Sequence, residues 1–361
     1  MTAFANPSVR GAEGAGTNLL AANMAATAQA LVVAGKGLLA MDESAGTCDK
    51  RLASVGMEPT QEARHAWREL LVTTPGLGEY IGGAILFEET LHQTTRDGTP
   101  LVQWLTAAGI IPGIKVDKGT VDLAAHPAER VTEGLDGLRE RLAGYAAMGA
   151  RFAKWRAVFS MGEGLPTAAC IEANAHALAR YAVLCQEAGL VPIVEPEVLM
   201  DGDHTLARCQ AVTSEVLHCV FAQLHTQGVV LEAMLLKPNM VLPGLQCRVQ
   251  VSAEEVAKAT LDCLLRTVPA AVAGIAFLSG GQPSELASKR LNAMHLHGAC
   301  GSQPLAWPLT FSFARALQQP ALQLWAQDPD NRVAAQQALL HRARCNSAAQ
   351  RGDYQPAMEN Q

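Results

Sequence analysis

The stretch VVLEAMLLKPNM (residues 229–240) is an apolar run, interrupted by Glu232, that reaches Lys237 and is followed at once by Pro238. A nearly continuous apolar run is typical of a strand covered on both faces, as in a parallel sheet between layers of helices. A lysine at the inner end of such a strand either extends its long side chain so that the ammonium group reaches solvent, or lies in a pocket. In a pocket, its amine can serve as a nucleophile.

The rest of the chain repeats this pattern. Further strand-like runs occur at 37–42, 83–87, 111–117, 152–156, 191–197, 274–280 and 309–315. Segments with helical periodicity separate them, among them 129–149, 168–189, 205–228 and 252–268. About eight such strand–helix units predict an α/β fold, a single-domain (β/α)8 TIM barrel. An open doubly wound sheet is the alternative, but no GxGxxG motif follows the first strand.

The composition indicates a globular chain with a large core. Of its 361 residues, 49% are hydrophobic, and the net charge of −6 argues against nucleic acid or an anionic membrane as the main partner. No apolar run approaches the roughly 18 residues that cross a bilayer, and the N-terminus lacks the pattern of a signal peptide. The nine scattered cysteines, without a CxxC pair, suit a reducing compartment. The sequence therefore predicts a cytoplasmic protein.

One domain is expected to account for most of the chain. The barrel is predicted to span residues 17–345, with residues 1–16 as a flexible N-terminal extension and the polar residues 346–361 as a mobile tail. No linker, internal repeat or low-complexity block divides these regions.

Charged residues gather at the carboxyl ends of the predicted strands. They are Asp42, Lys115, Asp117, Lys154, Arg156, Glu195, Glu197 and Lys237. Taken singly, each has an ordinary explanation, such as a lysine that extends to solvent or an aspartate that caps a helix. In a parallel barrel, however, these strand ends meet at one mouth, where catalytic groups lie. The basic and acidic side chains there are equal in number, so the cluster can be removed from water without leaving an uncompensated charge. Together, these residues predict an active site.

The chemistry of Lys237 follows from this placement. A lysine amine is a nucleophile only when neutral, and burial and nearby cations such as Lys154 and Arg156 favour that form. A neutral amine in a closed pocket forms a Schiff base with a ketone or an aldehyde. The segments LSGGQ (278–282) and FAR (313–315) occupy the usual phosphate position after the last two strands of a barrel. A Gly-Gly pair alone is more often only a turn, but there it favours a phosphate clamped by Arg315.

Eight strings resemble class I fructose-1,6-bisphosphate aldolase, in the order and approximate spacing of that family. They are GKGLLAMDES, GGAILFEETL, GIKVDKG, FAKWR, VPIVEPE, LLKPNM, FLSGGQ and LTFSFARAL, and the similarity covers about residues 17–355. The resemblance implies reversible cleavage of fructose 1,6-bisphosphate to dihydroxyacetone phosphate and glyceraldehyde 3-phosphate, in glycolysis and gluconeogenesis. It also implies no metal or other cofactor, and a homo-oligomer, a tetramer.

The resemblance assigns a role to each catalytic residue. Lys237 would form the Schiff base with C2 of the ketose, and Asp42 would take the C4 hydroxyl proton as the C3–C4 bond breaks. Glu195, with Glu197 beside it, would move protons while the carbinolamine forms and loses water. Lys154 would stabilise developing charge and keep Lys237 neutral.

The resemblance also assigns the substrate-binding residues. The C1 phosphate would bind Ser279, Gly280, Gly281 and Arg315. The C6 phosphate would lie toward Ser44, Thr47, Arg51 and Lys115. Arg156 would help to hold the ligand between them.

Three features depart from the family. Ala233 stands where a glycine is usual, and its methyl group is expected to crowd the strand before Lys237. Thr47 replaces an expected serine. The chain ends at Gln361 without the terminal tyrosine of animal enzymes, so its tail is expected to contribute little to catalysis.

Other functions stay open at this point. A metal-dependent enzyme would need clustered histidines and carboxylates, and HLH (295–297) is the only close histidine pair in the sequence. A Schiff-base enzyme with another ketose phosphate preference, such as a transaldolase-like one, is a second alternative. A third is a barrel with a scaffolding role, either alone or added to catalysis.

Overall fold

The computed structural model describes residues 8–299 and 304–360. Its strands are β1 (Gly37–Met41), β2 (Ile81–Leu86), β3 (Ile111–Lys115), β4 (Thr120–Asp122), β5 (Arg130–Thr132), β6 (Phe152–Phe159), β7 (Val191–Val198), β8 (Leu235–Leu236), β9 (Gly274–Phe277) and β10 (Leu309–Phe313). All but β4 and β5 pair in parallel and close into a barrel in the order β1-β10-β9-β8-β7-β6-β3-β2. The strands β4 and β5 form a separate antiparallel pair.

Helices pack against this barrel. They are α1 (Ser8–Leu31), α2 (Ala45–Ser54), α3 (Gln61–Val72), α4 (Glu88–Leu91), α5 (Leu101–Ala107), α6 (Leu138–Ala147), α7 (Ala168–Glu187), α8 (Leu206–Thr226), α9 (Ala253–Thr267), α10 (Ser284–Ala299), α11 (Arg315–Gln327) and α12 (Arg332–Gln350). Short 3₁₀ helices lie at Leu77–Glu79, Leu231–Ala233 and Pro356–Asn360. The predicted α/β fold, a (β/α)8 TIM barrel, is confirmed.

The interior of the barrel is packed below the mouth. The ring of Phe152 lies so close to Gly113 that a Cβ there would come within 2.2 Å of it, and the ring of Phe311 approaches Gly37 in the same way. Only glycine permits this approach. The Phe152 ring therefore fills part of the space that the strands enclose, whereas Phe311 belongs to the core between the strands and the helices. The open space lies at the carboxyl ends of the strands.

Helix α1 contributes to the same interior core. Its buried residues Met24, Ala28 and Leu31 join a cluster with residues of β1, β6 and β7. The extension predicted for residues 1–16 is helical from Ser8 onward, and residues 1–7 lie outside the described part of the chain.

The helix predicted at 129–149 is wrong in its first part. Residues 130–132 form β5, and α6 begins only at Leu138. The amide of Asn174 holds this segment extended, since it donates to the Arg130 carbonyl and accepts from Thr132 N. The carboxylate of Glu129 accepts from Thr167 N at 2.7 Å. These long-range bonds outweigh the local helical pattern.

The apolar run of residues 229–237 is only partly a strand. It forms the 3₁₀ helix Leu231–Ala233 and then β8, after which Lys237 N donates to the Val194 carbonyl at 2.8 Å and continues the ladder. Ala233 is fully buried in the interior cluster, so its methyl group has a place. The predicted helix start at Ser252 is confirmed by a capping box with Glu255.

The C-terminal boundary differs from the prediction at residue 345. Helix α12 continues to Gln350, and Asn346 and Ser347 are buried because they bond to Ser288 Oγ and to the Gly35 carbonyl, respectively. Mobility of the later residues stays a prediction, and Gln361 lies outside the described residues. Among the described helices, none is long and apolar enough to cross a membrane.

Candidate active site

Four ionisable side chains form a chain of contacts at the carboxyl ends of the strands. Lys154 Nζ lies 2.7 Å from Asp42 Oδ2 and 3.1 Å from Glu195 Oε2. Lys237 Nζ lies 3.1 Å from Glu195 Oε1. All four side chains are at most 11% exposed. Glu195 thus bridges the two lysines, and Lys154 bridges the two acids.

The barrel register brings these residues together. Lys154 and Arg156 project from β6, and Arg156 pairs in register with Glu195 of β7. Lys115 pairs with Lys154 across β3 and β6. Because alternate residues of a strand point to the same face, the charges predicted at spacing two enter the barrel mouth together.

Opposing charges set the ionisation of this cluster. Burial opposes ionisation of Asp42, but Lys154 and Lys237 outweigh it and lower its pKa from 3.8 to about 2. The same balance lowers the pKa of Glu195 and raises that of Lys154, with burial opposing the shift in each group. Both carboxylates are therefore ionised at neutral pH and can accept protons, while Lys154 is a fixed cation.

A second layer of charge supports the first. Lys115 Nζ lies 2.5 Å from Asp117 Oδ1, and Arg156 Nε donates to Glu197 Oε2 at 2.5 Å. Asp117 Oδ2 accepts from the Arg156 backbone N–H at 3.3 Å. The Arg156 side chain is 41% exposed and lines the cavity, so it is placed to meet a ligand that enters the mouth.

These groups line one cavity of ≈ 920 Å³, a size that suits a small-molecule ligand. The predicted site residues Asp42, Ser44, Thr47, Arg51, Lys115, Lys154, Arg156, Glu195, Glu197, Lys237, Ser279, Gly280, Gly281 and Arg315 all line it. The structure therefore places every candidate from the sequence at a single site.

The cavity also contains bases that the sequence analysis missed. Lys50, Lys118 and Arg141 line it as well. A signal for the first was present, because Thr47, Lys50 and Arg51 lie at helical spacing on one face of α2. Arg141 carried no comparable signal, since it lies within α6 and reaches the mouth by donating to the Val116 carbonyl at 2.8 Å.

The Gly-Gly turn forms one wall of the cavity. Gly280 and Gly281 have φ values of 59° and 95°, a backbone region that favours glycine. A Cβ on Gly281 would lie 2.8 Å from Arg315 Nη2, so the guanidinium rests directly against the turn. Backbone N–H groups and a cation are thus combined as an anion site requires.

Another wall of the cavity is formed by the start of α2. Ser44 Oγ donates to Thr47 Oγ1 at 3.1 Å. Arg51 is ion-paired with Glu43, which also pairs with Arg68 at 2.8 Å. Buried Arg51 Nε and Nη2 have no hydrogen-bond partner in the described part of the chain, so donors are available beside the cavity.

The histidine pair considered for a metal lies elsewhere. His295 is in α10 and does not line the cavity, and burial lowers its pKa to about 4. Among the described residues, His341, Cys345 and Glu359 place ligand atoms within 4.8 Å of one another. They also lie outside the cavity, and Glu359 is ion-paired with Arg342.

The TIM barrel and the buried cluster of lysines and carboxylates are typical of an enzyme. Comparison with known proteins identifies the family. Residues 23–361 match the family described as fructose-bisphosphate aldolase class-I. A probable fructose-bisphosphate aldolase class 1 of Xanthomonas axonopodis pv. citri (strain 306) is 56% identical over 332 residues, covering 92% of this chain and 98% of the relative. The chain belongs to the class I fructose-bisphosphate aldolase family.

Plant and parasite proteins extend this similarity. The chain is 51% identical to fructose-bisphosphate aldolase 6, cytosolic, of Arabidopsis thaliana, over 94% of this chain and 93% of the relative. A co-crystal structure of fructose-bisphosphate aldolase from Plasmodium falciparum, in complex with TRAP and a small-molecule inhibitor, matches with a TM-score of 0.90 at 48% identity. That match covers 93% of this chain and 96% of the other.

Proposed function

We propose that this protein catalyses the reversible aldol cleavage of fructose 1,6-bisphosphate to dihydroxyacetone phosphate and glyceraldehyde 3-phosphate, as a step of glycolysis and gluconeogenesis. The observation that carries the proposal is the buried chain of Asp42, Lys154, Glu195 and Lys237 in one cavity. It combines a nucleophilic amine with two carboxylates that can exchange protons, and family membership agrees with it.

The reaction begins at Lys237. Its amine attacks C2 of the open-chain ketose, and the C2 oxygen gains a proton to give a carbinolamine. Glu195, whose Oε1 lies 3.1 Å from Lys237 Nζ, accepts a proton from the Lys237 ammonium before the attack and passes it to the C2 oxygen. It then accepts a second proton from the same nitrogen and passes it to the hydroxyl, which leaves as water. Loss of water then gives a protonated imine at C2. Glu197, buried beside Glu195, orients Arg156 during this exchange.

Cleavage follows from the imine. Asp42 takes the C4 hydroxyl proton, the C4–O bond becomes the aldehyde carbonyl, and the C3–C4 electron pair moves onto the imine nitrogen as an enamine. Lys154, 2.7 Å from Asp42, stabilises the negative charge that develops near C4. Protonation of the enamine at C3 and hydrolysis of the imine release dihydroxyacetone phosphate and restore Lys237.

The two walls of the cavity receive the two phosphates. The C1 phosphate binds the backbone of Ser279, Gly280 and Gly281 and the guanidinium of Arg315. The C6 phosphate binds near Ser44, Thr47, Arg51 and Lys115, where the free donors of Arg51 support it. Arg156 contacts the sugar between the two walls.

No metal is assigned a role, because the protonated imine supplies the electron sink that a divalent ion supplies in metal-dependent aldolases. We further propose a homotetramer in the cytoplasm. The cytosolic Arabidopsis relative supports that location, as do the free cysteines of the described residues. Light scattering of the purified protein measures the oligomeric state.

Covalent trapping tests the function. Borohydride added with dihydroxyacetone phosphate should inactivate the protein and label Lys237, since only an imine is reducible there. Lys237→Met should abolish both labelling and cleavage of the bisphosphate while the circular dichroism spectrum stays unchanged. Lys50→Met is the matched control, because Lys50 lines the same cavity but lies in the phosphate region.

The trapping experiment has clear contrary results. Label located by peptide mass spectrometry mainly on another lysine would reject the assignment of the nucleophile. Cleavage measured with and without a chelator should be equal, and strict dependence on added divalent ion would reject the Schiff-base mechanism. A higher kcat/KM for another ketose phosphate would favour a different substrate preference.

A further inference from the structure

Arg290 is a buried cation behind the Gly-Gly turn. It lies in α10 and is 5% exposed. Its Nη1 donates to Gln282 Oε1 at 2.9 Å, and its buried Nε has no hydrogen-bond partner among the described residues. Among the described residues, no carboxylate lies within ion-pair distance of its guanidinium. Burial lowers the pKa of Arg290 to about 10, and no acidic group opposes that shift. The guanidinium is therefore charged at neutral pH and has no counter-ion among the described residues.

Such an arginine is unusual, because burying an unpaired charge costs several kcal/mol. Arg342, buried on the neighbouring helix α12, shows the ordinary arrangement. Its guanidinium is ion-paired with Glu359 and donates to Ser288 Oγ at 2.7 Å. Arg290 lacks this compensation among the described residues, so its charge contributes an unbalanced positive potential behind the turn.

Gln282 connects this charge to the turn. It is the last residue of LSGGQ, and its backbone N–H donates to the Ser279 carbonyl at 3.0 Å, which closes the turn around the two glycines. Its side-chain amide donates to Met240 Sδ at 3.6 Å. Arginine only donates hydrogen bonds, so Arg290 fixes the carbonyl end of this amide toward α10. One amide thus ties α10 to the turn and to the segment that follows Lys237.

We propose that Arg290 is a positioning residue of the phosphate site at Ser279–Gly281, where it fixes Gln282 and adds a buried positive charge that a bound phosphate dianion neutralises. This inference rests on the proposed function, which assigns the C1 phosphate to that turn. It concerns affinity for the phosphate and leaves the imine chemistry at Lys237 unchanged.

The test compares two donors in the synthetic direction, with glyceraldehyde 3-phosphate as the acceptor. Dihydroxyacetone phosphate carries the phosphate in question, and dihydroxyacetone lacks it. Arg290→Met should raise KM for dihydroxyacetone phosphate about tenfold, with less than about a twofold change in kcat/KM for dihydroxyacetone. Arg290→Lys should restore most of the affinity, because it keeps the charge.

Gln282→Glu separates charge from structure. The new carboxylate would pair with Arg290, so it should weaken binding of dihydroxyacetone phosphate as Arg290→Met does while the protein keeps its thermal stability. Arg342→Met is the control for loss of a buried arginine, and it should lower Tm without changing the preference between the two donors. An equal loss for both donors in Arg290→Met, or an unchanged KM for the phosphorylated donor, would overturn the inference.

Failure of the proposed function gives a different result. In that case the wild-type protein does not cleave the bisphosphate at all. The inference is then tested by calorimetry with inorganic phosphate, whose affinity should fall in both Arg290→Met and Arg315→Met. Unchanged affinity in Arg290→Met, with a loss in Arg315→Met, would reject the role of Arg290 alone.

Discussion

The charged cluster around Glu195 and the C-terminal segment after α12 are held in opposite ways. Each cluster residue lies on or directly after a barrel strand, and its charge meets an opposite charge within about 3 Å. The segment after α12 is fixed mainly by Tyr354, whose N–H donates to Asn292 Oδ1 at 2.9 Å, and by Glu359. It packs against α10 and does not line the cavity.

This difference separates a region that performs chemistry from one that stabilises the fold. Groups on strands keep their relative positions, which proton transfer requires to within fractions of an ångström. A segment tied by a few hydrogen bonds outside the cavity contributes to stability without positioning the groups of the site. Changes in the first region should therefore alter turnover, and changes in the second should alter Tm.

The largest effect is expected from Asp42→Asn. An amide cannot take the C4 hydroxyl proton, so kcat for the bisphosphate should fall by about 10²–10⁴. Imine formation with dihydroxyacetone phosphate does not need this step, and borohydride should still trap it on Lys237. If trapping also disappears in a folded variant, Asp42 acts earlier than we assign it.

Glu195→Gln should produce the complementary defect. Without a carboxylate that bridges Lys154 and Lys237, the carbinolamine should form and dehydrate slowly, and the rate of trapping should fall by about 10²-fold. Glu197→Gln is the matched control, since Glu197 is equally buried but contacts Arg156 instead. Equal trapping rates in wild type and Glu195→Gln would show that another group moves these protons.

The sequence predicts the reactive residues of the cluster better than it predicts the side chains that surround and position them. Strand-end residues such as Glu195 could be found because continuous apolar runs mark parallel strands, and parallel strands end at one mouth. The sequence could not predict that Arg51 pairs with Glu43 or that Arg290 has no acidic partner. Both depend on which side chains, distant in sequence, share a buried space. In addition, a charged residue within a segment of helical periodicity is ordinarily predicted to be exposed to solvent.

The same limit explains the errors in the fold. The segment after Glu129 has helical periodicity, but bonds to Asn174 and Thr167, about 40 residues away in sequence, hold it as a strand. Asn346 reads as part of a polar tail, yet its side chain accepts from Ser288 Oγ at 2.6 Å and is fully buried. In both cases a tertiary hydrogen bond decides the structure.

A smaller effect is expected on acid stability. Because the folded state lowers the pKa of Asp42 from 3.8 to about 2, the stability that it contributes is complete above the unfolded value and is lost as pH falls through the folded one. Between pH 4 and pH 2 the wild type should lose about 2 kcal/mol of unfolding free energy that Asp42→Asn does not lose. Urea unfolding at several pH values measures this, and parallel curves for both proteins would show that Lys154 does not stabilise the carboxylate.

The smallest effect on catalysis is expected from shortening the tail. Gln350 accepts from Gly35 N beside β1 and Tyr354 is buried, so the deletion should begin after Tyr354 and remove residues 355–361. Because this segment packs against α10 and does not line the cavity, kcat/KM for the bisphosphate should change by less than about tenfold, or ~1.4 kcal/mol. The ratio of activities with the bisphosphate and with fructose 1-phosphate should stay constant.

The same deletion should lower Tm, since Arg342 loses its partner Glu359. Glu359→Gln in the full chain should lower Tm in the same way. A selective and much larger loss for the bisphosphate would mean that the tail leaves α10 and reaches the cavity during turnover, and the contrast between the two regions would then fail.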